Sequence, residues 1–331
     1  MVIVFQTKPS ILATGAVVGP LEKRSVFTSY FDKVLDDERV QKKTNESGNA
    51  KLMMEACDTV MSKANVAPLD IDYLLAGDLI NQMTPTNFAA RELAISFIGL
   101  FSACATSVSS AIIAALLTEL GASELAIAGA SSQHNTVERQ FRYPVDYGAQ
   151  KPATAQWTVT AAGFALIGRH KEKTPSIAAA TVGKVIDFGA TDPFHMGGAM
   201  APAAFDTINK HLEQRGQKIE DYDVIMTGDL GKIGFKILLA MFAQDGVKKE
   251  SLAIFRDAGA EFYGEDTAFQ AGASGAGCSA AVYFSYVTAQ FLSGRYKRGL
   301  LVATGALLSP LSYQQGQTIP CTAHAIEIVM E

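Results

Sequence analysis

Four segments of this chain occur twice in the same order, and this repeat limits the folds that the sequence can adopt. The plainest pair consists of two strands that each follow a helix and end in Gly-Asp-Leu, with Asp78 and Asp229 lying 151 residues apart. The offset differs from pair to pair, which indicates loop insertions between the copies rather than a short solenoid period. The sequence therefore predicts a duplicated α/β unit.

The three other pairs are a turn with a cysteine before a helix, an apolar strand, and the last strand of each half. They match Cys104 with Cys278, Gly129 with Gly305, and Gly163 with His324, at offsets of 174, 176 and 161 residues. Each half then consists of a helix, a strand, an elbow helix, a further strand and a hairpin. This order predicts a mostly parallel sheet with an antiparallel edge and with helices on both faces.

The turn at Cys104 has the pattern of a strand, a tight turn and a helix. The apolar run Phe97–Phe101 predicts a buried strand, and a helix of small residues begins at Thr106. A thiol at a helix N-terminus meets unpaired N–H groups and the positive end of the helix dipole, so it can act as a nucleophile or lie beside a bound anion. It can equally be a small buried hydrophobe, which is the usual state of a free cysteine. The local pattern leaves both interpretations open.

The helices after the two elbows, Ser107–Leu117 and Ala280–Val287, are very poor in charge. A helix that is apolar on all sides belongs in the interior of a protein. We therefore expect the two halves to pack with these helices between their sheets. The length of 331 residues fits this arrangement and predicts two domains, residues 1–170 and 171–331.

Residues 1 to 50 give a weaker signal than the rest of the chain. They predict a short strand, Val2–Phe5, then a loop that contains Gly19 and Pro20, then the polar stretch Asp36–Asn49. A clear helical periodicity begins only at Lys51.

Composition excludes several classes of function. The formal net charge is −5, so no basic surface is predicted that could hold nucleic acid through its phosphates. The four cysteines form neither a CxxC motif nor a zinc-binding pattern, and we interpret them as reduced thiols of a cytosolic protein. No apolar run is long enough to span a bilayer, so any membrane association is expected to be peripheral.

The duplicated halves, the cysteine on the first elbow and the glycine-rich second elbow resemble the thiolase superfamily over essentially the whole chain. This resemblance implies a thiolase-like fold, in which two α/β halves form a layered αβαβα sandwich with central buried helices. It also implies a homodimer.

A closer resemblance is to the stage V sporulation protein AD family, a component of the SpoVA system of endospore-forming bacteria. The matching strings include LLAGDLINQ (Leu74–Gln82), FSACATS (Phe101–Ser107), HNTVERQFRYP (His134–Pro144), TDPFHMG (Thr191–Gly197) and IPCTAHA (Ile319–Ala325). This resemblance implies a non-catalytic protein that binds dipicolinic acid (pyridine-2,6-dicarboxylate), takes part in its uptake into the developing spore and its release in germination, and works with membrane-embedded SpoVA proteins. It also implies a soluble protein, peripherally associated with the inner membrane of the forespore or spore.

Two further functions stay open at this point. One is a condensing enzyme of the ketoacyl synthase III type, dependent on acyl-CoA or acyl carrier protein, with Cys104 acylated and His324 as base. Two observations argue against it. That type of enzyme carries a His where this chain has Gly228 or Asp229, and an Asn where it has Ser274 or Gly275. A catalytic thiol without these partner groups loses orders of magnitude in rate. The other is a structural adaptor that holds a membrane channel shut.

The residues predicted to bind the ligand come from several parts of the chain: Asp78, Asn81, Cys104, His134, Arg139, Asp229 and His324. Asp78, Cys104 and His324 are predicted to share one cavity, because ligands bind at the carboxyl ends of strands in α/β sheets. The alternatives are a turn carboxylate for Asp78 and a core histidine for His324. No metal site or cofactor is predicted, although calcium can accompany dipicolinate.

A second candidate site is the segment His134–Lys151, which concentrates cations and aromatic rings. Arginine side chains bind carboxylates in a bidentate manner, and aromatic faces suit a pyridine ring. The alternative is a loop over a dimer interface. The segment contains His134, Arg139, Arg142 and Lys151 together with Phe141, Tyr143 and Tyr147.

Overall fold

Strands and helices alternate along the part of the chain that this computed structural model describes, residues 1–141 and 151–331. The strands are β1 (Val2–Val4), β2 (Ser10–Val18), β3 (Lys33–Val34), β4 (Tyr73–Gly77), β5 (Phe97–Gly99), β6 (Leu125–Ser132), β7 (Trp157–Thr158), β8 (Ala161–Gly168), β9 (Ser176–Val182), β10 (Val224–Thr227), β11 (Phe255–Asp257), β12 (Ala273–Ser274), β13 (Arg298–Ala306) and β14 (Cys321–Val329). The α-helices are α1 (Asn45–Ala64), α2 (Thr84–Leu93), α3 (Thr106–Glu119), α4 (His134–Phe141), α5 (Met196–Arg215), α6 (Gly231–Gln244), α7 (Ala258–Glu261), α8 (Ala276–Val282), α9 (Thr288–Leu292) and α10 (Pro310–Gln314).

The strand order confirms the duplication. The first half is ordered β5-β4-β6-β8-β2 and the second β11-β10-β13-β14-β9, so corresponding strands occupy corresponding places. The two halves meet where β2 and β9 pair at Ser10 and Ser176. The first strand, β1, crosses over to pair with β9 of the second half.

The registers of the two halves correct one of the predicted alignments. In the first half, the strands place Ala76, Gly129 and Phe164 in one row. The corresponding row of the second half contains Thr227, Val302 and Ala325. If Asp78 corresponds to Asp229, these rows match Gly163 with His324 as predicted, but they match Gly129 with Val302. The predicted match to Gly305 is therefore wrong by three residues, because both strands contain a similar small-residue run.

The helices form the outer and central layers of the predicted sandwich. Helices α3 and α8 contact each other, and α3 contacts strands of both halves, so it lies between the two halves of the sheet. Helices α1 and α2 pack together on the outer side of the first half, and α5 and α6 do so on the second. The charge-poor sequences of the central helices agree with this burial.

Strand β2 is the largest element that the sequence pattern missed. Ser10–Val18 was predicted as loop, yet it pairs with β8 along nearly its whole length. Each half has one antiparallel strand, β8 in the first and β14 in the second. Because β2 pairs next to β8 and β9 pairs next to β14, these strands lie inside the sheet, and the predicted antiparallel edge is wrong. Alternation along β2 is weak because both of its faces are largely buried.

Two further predictions differ from the structure. The strand β5 was predicted to be buried, but it lies at the edge of the sheet, where Ile98 and Phe101 are exposed. Helix α1 begins at Asn45, inside the stretch predicted as irregular, because Thr44 and Ser47 form a capping box there.

The boundary between residues 170 and 171 stays a prediction. Among the residues that the structure describes, no helix has both the length and the apolar character needed to cross a bilayer.

Candidate functional site

Cys104 lies in a tight turn between β5 and α3. The residue before it, Ala103, has a positive φ of 49°, a conformation that costs energy for a residue with a side chain. Thr106 holds this turn, because its Oγ1 accepts a hydrogen bond from the Ser102 N–H and donates one to the Ala103 carbonyl. The Cys104 side chain is 8% exposed. The predicted elbow is therefore present, with a largely buried thiol.

The second elbow joins β12 to α8 through Ser274 and Gly275. Gly275 has a φ of 107°, and a Cβ there would lie 2.8 Å from the hydroxyl oxygen of Ser132, so only glycine fits. Helix α8 continues through a π-helical turn, Tyr283–Val287, into α9. The N-terminal ends of α3 and α8 lie against one another, because the hydroxyls of Ser107 and Ser279 form a hydrogen bond at 2.7 Å and the Ser279 hydroxyl also donates to the Cys104 carbonyl at 3.4 Å.

A pocket lies between the two elbows, and Cys104 is in its wall. Thr158 and Ser274 are its other polar side chains among the described residues, and its free volume is about 30 Å³, which is roughly that of one water. The rest of the lining is Leu79, Phe101, Ala103, Val137, Phe141, Met196, Met200, Gly275, Ala306 and Leu308. The pocket is thus narrow and mainly apolar.

Asp229 lies directly beside the thiol. Its carboxylate accepts hydrogen bonds from the Gly275 N–H at 2.9 Å and the Thr304 hydroxyl at 3.2 Å, and the Cys104 thiol also donates to it. Burial, with a smaller contribution from the neighbouring Asp257, outweighs these hydrogen bonds and raises the pKa of Asp229 to about 7. Asp229 therefore links the two elbows. It is the predicted site residue with a hydrogen bond to Cys104.

Asp78, the counterpart of Asp229 in the first half, organises a turn. Its carboxylate accepts hydrogen bonds from the N–H groups of Ile80 at 2.7 Å and Thr86 at 2.9 Å and from the Thr86 hydroxyl. Burial raises the pKa of this carboxyl group. Asp78 is not in the lining of the pocket, so the turn interpretation accounts for its contacts and ligand binding stays a prediction.

His324 lies on β14 opposite Ala303. It shares a face of the strand with Ile326, which belongs to the core around the central helices. The Gly183 N–H donates to Nδ1 of His324 at 3.3 Å, and burial lowers the pKa of the imidazole to about 4. His324 is absent from the lining of the Cys104 pocket, as is Asp78. Of the three residues predicted to share a cavity, only Cys104 is among the described residues that line this one.

The remaining predicted residues lie outside this pocket. Asn81 is exposed, and its N–H donates to Gln140. His134 stacks on Trp157 with 4.1 Å between ring centroids, and Arg139 is exposed and pairs with Glu46. Their ligand roles stay predictions. Of the basic segment, Phe141 lines the Cys104 pocket, whereas Arg142, Tyr143 and Tyr147 are outside the described residues.

Sequence reasoning missed the two methionines of the pocket, Met196 and Met200. They lie four residues apart in the first turns of α5, so they face the same side of that helix. The spacing was visible in the sequence, but nothing in it indicated that the start of α5 reaches the first elbow. In the described part of the chain, no group of three or more His, Cys, Asp or Glu side chains is arranged to hold a metal ion.

The model of the stage V sporulation protein AD (SpoVAD) family matches residues 1–329 of this chain. The chain belongs to this family. Among curated proteins, it is 43% identical over 326 residues to stage V sporulation protein AD of Bacillus subtilis (strain 168), which covers 98% of this chain and 95% of that protein.

Solved structures show the same fold at low sequence identity. The 3-oxoacyl-[acyl-carrier-protein] synthase III of Aquifex aeolicus VF5 is 13% identical, with a TM-score of 0.60, and the match covers 97% of this chain and 99% of that one. A variant of OleA from Xanthomonas campestris is 15% identical, with a TM-score of 0.64, and the match covers 98% and 99%. The chain therefore has a thiolase-like fold, as predicted.

Proposed function

We propose that this SpoVAD protein binds dipicolinic acid without catalysis, as a component of the SpoVA system that takes the acid into the developing spore and releases it in germination. The observation that carries the proposal is the chemistry of the Cys104 pocket. Two helix N-termini meet at an apolar space, and no imidazole or carboxamide side chain of the described residues lines it.

The two helix ends suit a ligand with two carboxylates. The N-terminus of a helix attracts an anion through its dipole and its free N–H groups. The turn of Cys104 precedes α3, and that of Gly275 precedes α8, so the pocket receives both positive ends. The apolar side chains between them suit an aromatic ring.

The ligand can enter only if the pocket widens, because the free volume is about that of one water. Met196 and Met200 line the pocket, and methionine is a side chain that changes its conformation easily. If only a small fraction of the molecules has the widened pocket, the apparent affinity for the ligand is reduced in proportion to that fraction. Weak to moderate affinity for dipicolinate follows.

The non-catalytic part of the proposal rests on what surrounds Cys104. A condensing enzyme of this fold would need a base at the end of the second strand, but this chain has Gly228 and Asp229 there. It would also need an amide at the second elbow, where this chain has Ser274 and Gly275. The Asp229 carboxylate is also engaged by Gly275 and Thr304. These groups hold the elbows together, and none of the described residues that line the pocket is a histidine.

In calorimetry, we expect the purified protein to bind dipicolinate at least about tenfold more tightly than picolinate, because each carboxylate meets its own helix end and a lost charged hydrogen bond costs about 1.5 to 3 kcal/mol. The calcium chelate is titrated in parallel to test whether the metal accompanies the ligand. Equal affinity for picolinate and dipicolinate would remove the two-carboxylate model.

The Cys104→Ala variant separates binding from the alternative function, a condensing enzyme. It keeps the backbone N–H groups of α3, so a binding protein retains part of its dipicolinate affinity, whereas a covalent mechanism is abolished. If wild-type protein instead shows turnover of short acyl-CoA together with stable acylation of Cys104 in mass spectrometry, the enzyme hypothesis replaces ours. The hydrogen bond from Cys104 to Asp229 is the observation that favours that alternative.

The proposal includes a homodimer. Strand β5 is the last strand of the sheet, and none of the described strands pairs with its outer edge. Phe88, Ile98 and Phe101 are exposed on or next to it. Contiguous exposed apolar side chains at a sheet edge are typical of protein–protein interfaces.

The proposal also includes peripheral contact with a membrane that holds the SpoVA partners. Val185 and Phe188 protrude from the segment after β9, with Phe188 74% exposed. Phe188 lines a surface groove together with Lys210 and Lys184, the second of which forms an ion pair with Asp206 at 3.0 Å. Apolar side chains flanked by lysine suit an anionic lipid surface.

We expect the protein to float with vesicles that contain anionic phospholipid, and the Phe188→Ser variant to float several times less. Leu69→Ala, which truncates an even more exposed apolar side chain elsewhere, is the control and should float as the parent does. Equal flotation of the parent and Phe188→Ser would place membrane contact on another face.

A further inference from the structure

Strands β7 and β12 pair as a separate, two-stranded parallel sheet, and a second cavity lies on the other side of it from the Cys104 pocket. Thr158 of β7 lines the Cys104 pocket, whereas the preceding residue of the strand, Trp157, lines the second cavity. Successive side chains of a strand point to opposite faces, so this small sheet separates the two spaces. The second cavity has a volume of about 270 Å³, near the lower end of the range for small-molecule sites.

Within the described part of the chain, two buried polar atoms in the wall of this cavity have no hydrogen-bond partner. They are Nε1 of Trp157, which can only donate, and Oε1 of Gln270, which can only accept. The orientation of the Gln270 amide is fixed, because its Nε2 donates to the Lys151 carbonyl at 3.2 Å. Buried polar atoms in native proteins nearly always have partners, so a bound group that supplies both an acceptor and a donor would complete this wall.

A cation lies next to the unpaired donor. The Lys151 ammonium is 4.5 Å from the centroid of the Trp157 ring and 3.4 Å from the nearly buried carboxylate of Glu138. The indole is held in place on its other sides, because it stacks on His134 and meets the edge of Phe269 at 5.5 Å between centroids. The cavity thus offers a fixed donor and a cation close together, with an acceptor on the same wall.

We propose that the Trp157 cavity binds a small amino carboxylate. The carboxylate accepts from the Trp157 indole N–H beside the Lys151 ammonium, and the amino group of the ligand donates to Oε1 of Gln270. Fully ionised dipicolinate does not satisfy this pattern, because it has only acceptors and leaves Gln270 unmatched. The site is therefore distinct from the one proposed at Cys104, and either can be wrong without the other.

The chain contains a single tryptophan, so a label on tryptophan gives one signal, and that signal comes from the wall of this cavity. We would label the protein with 5-fluorotryptophan and follow its one ¹⁹F resonance during titration with millimolar L-alanine, propionate or L-alaninamide. L-Alanine is expected to shift the resonance in a saturable manner. Propionate lacks the donor and L-alaninamide lacks the carboxylate, so each should bind at least about tenfold more weakly.

The results that overturn the proposal are distinct. If none of the three compounds shifts the resonance in a saturable manner, the cavity holds water only. If propionate binds as tightly as L-alanine, the contact with Gln270 is wrong and the proposed ligand class fails with it.

The Trp157→Phe variant tests the donor itself. Phenylalanine keeps a ring between His134 and Phe269 but removes the N–H, so calorimetry should show L-alanine binding about three- to tenfold more weakly. Dipicolinate binding should be unchanged, and Leu69→Ala should bind both ligands as the parent does. An unchanged affinity of Trp157→Phe for L-alanine would show that the indole donor is not used.

Discussion

We expect the Glu327→Gln variant to lose about 3 kcal/mol of unfolding free energy, because it leaves a buried cluster without its anion. Glu327 is fully buried on β14, where its carboxylate accepts hydrogen bonds from Arg215 at 2.8 Å and 3.3 Å and lies 3.4 Å from Nε2 of His211. Removing one partner of a buried ion pair costs much more than the pair contributes, since the other charge stays desolvated. Urea denaturation at neutral pH measures the loss.

An exposed pair of the same residue types is the matched control. Glu124 and Arg169 form an ion pair in which both side chains are more than half exposed, so Glu124→Gln should cost at most about 1 kcal/mol. If both variants lose the same small amount, Arg215 has reached water in the variant and the cluster is not a source of stability.

The contribution of Glu327 also has a defined pH dependence. Burial raises the pKa of its carboxyl group, but hydrogen bonds with His211 and Arg215 outweigh burial and lower the pKa to about 2 from 4.5. A depressed pKa in the folded state contributes stability that is complete above about pH 4.5 and is lost as the pH falls towards 2. The difference between wild type and Glu327→Gln should therefore shrink over this range.

The second large effect is expected for Gly163→Ala, which lies where β8 meets the central helix α8. A Cβ at Gly163 would lie 2.2 Å from the backbone carbonyl atoms of Ala280. Neither the strand nor the helix backbone can move aside without disturbing the core, so a loss of about 3 kcal/mol is expected. Because α8 carries the second elbow, dipicolinate binding should weaken as well.

Gly216→Ala is the control for this substitution. Gly216 ends α5 with a φ of 63° and has open space around it, so alanine there meets backbone strain of about 1 kcal/mol and no steric clash. Similar losses for the two variants in urea denaturation would contradict the close packing of α8 on β8. Retained dipicolinate binding in a folded Gly163→Ala protein would argue against the second elbow as part of the site.

The elements that the sequence predicted well are those with strong local signals. The elbow at Cys104 was visible because an apolar run, small residues and an uncharged helix follow one another within twenty residues. The correspondence of Gly163 with His324 was also correct, because both lie in strands with a distinctive residue order. These features depend only on residues that are close in the sequence, so they can be recognised from the sequence.

The site shows where local signals end. Asp78 and Asp229 lie in nearly identical sequence contexts, yet one holds the start of α2 and the other contacts Cys104. The difference arises from what packs against each strand end: α2 in the first half, and the elbow of the opposite half in the second. A repeated motif therefore predicted two similar turns but not their different neighbours.

The duplicated α/β architecture, the buried central helices and the family could all be recognised from the order of residues, because repeats, periodicity and long shared strings are properties of the chain order. The three-dimensional structure was needed to show that Ser10–Val18 is a strand inside the sheet, that β5 is an exposed edge, and which side chains line the Cys104 and Trp157 cavities. These features depend on strand pairing and burial, which are long-range contacts. A strand with both faces covered has no alternating pattern to reveal it, and a cavity is formed by residues that are distant in the chain.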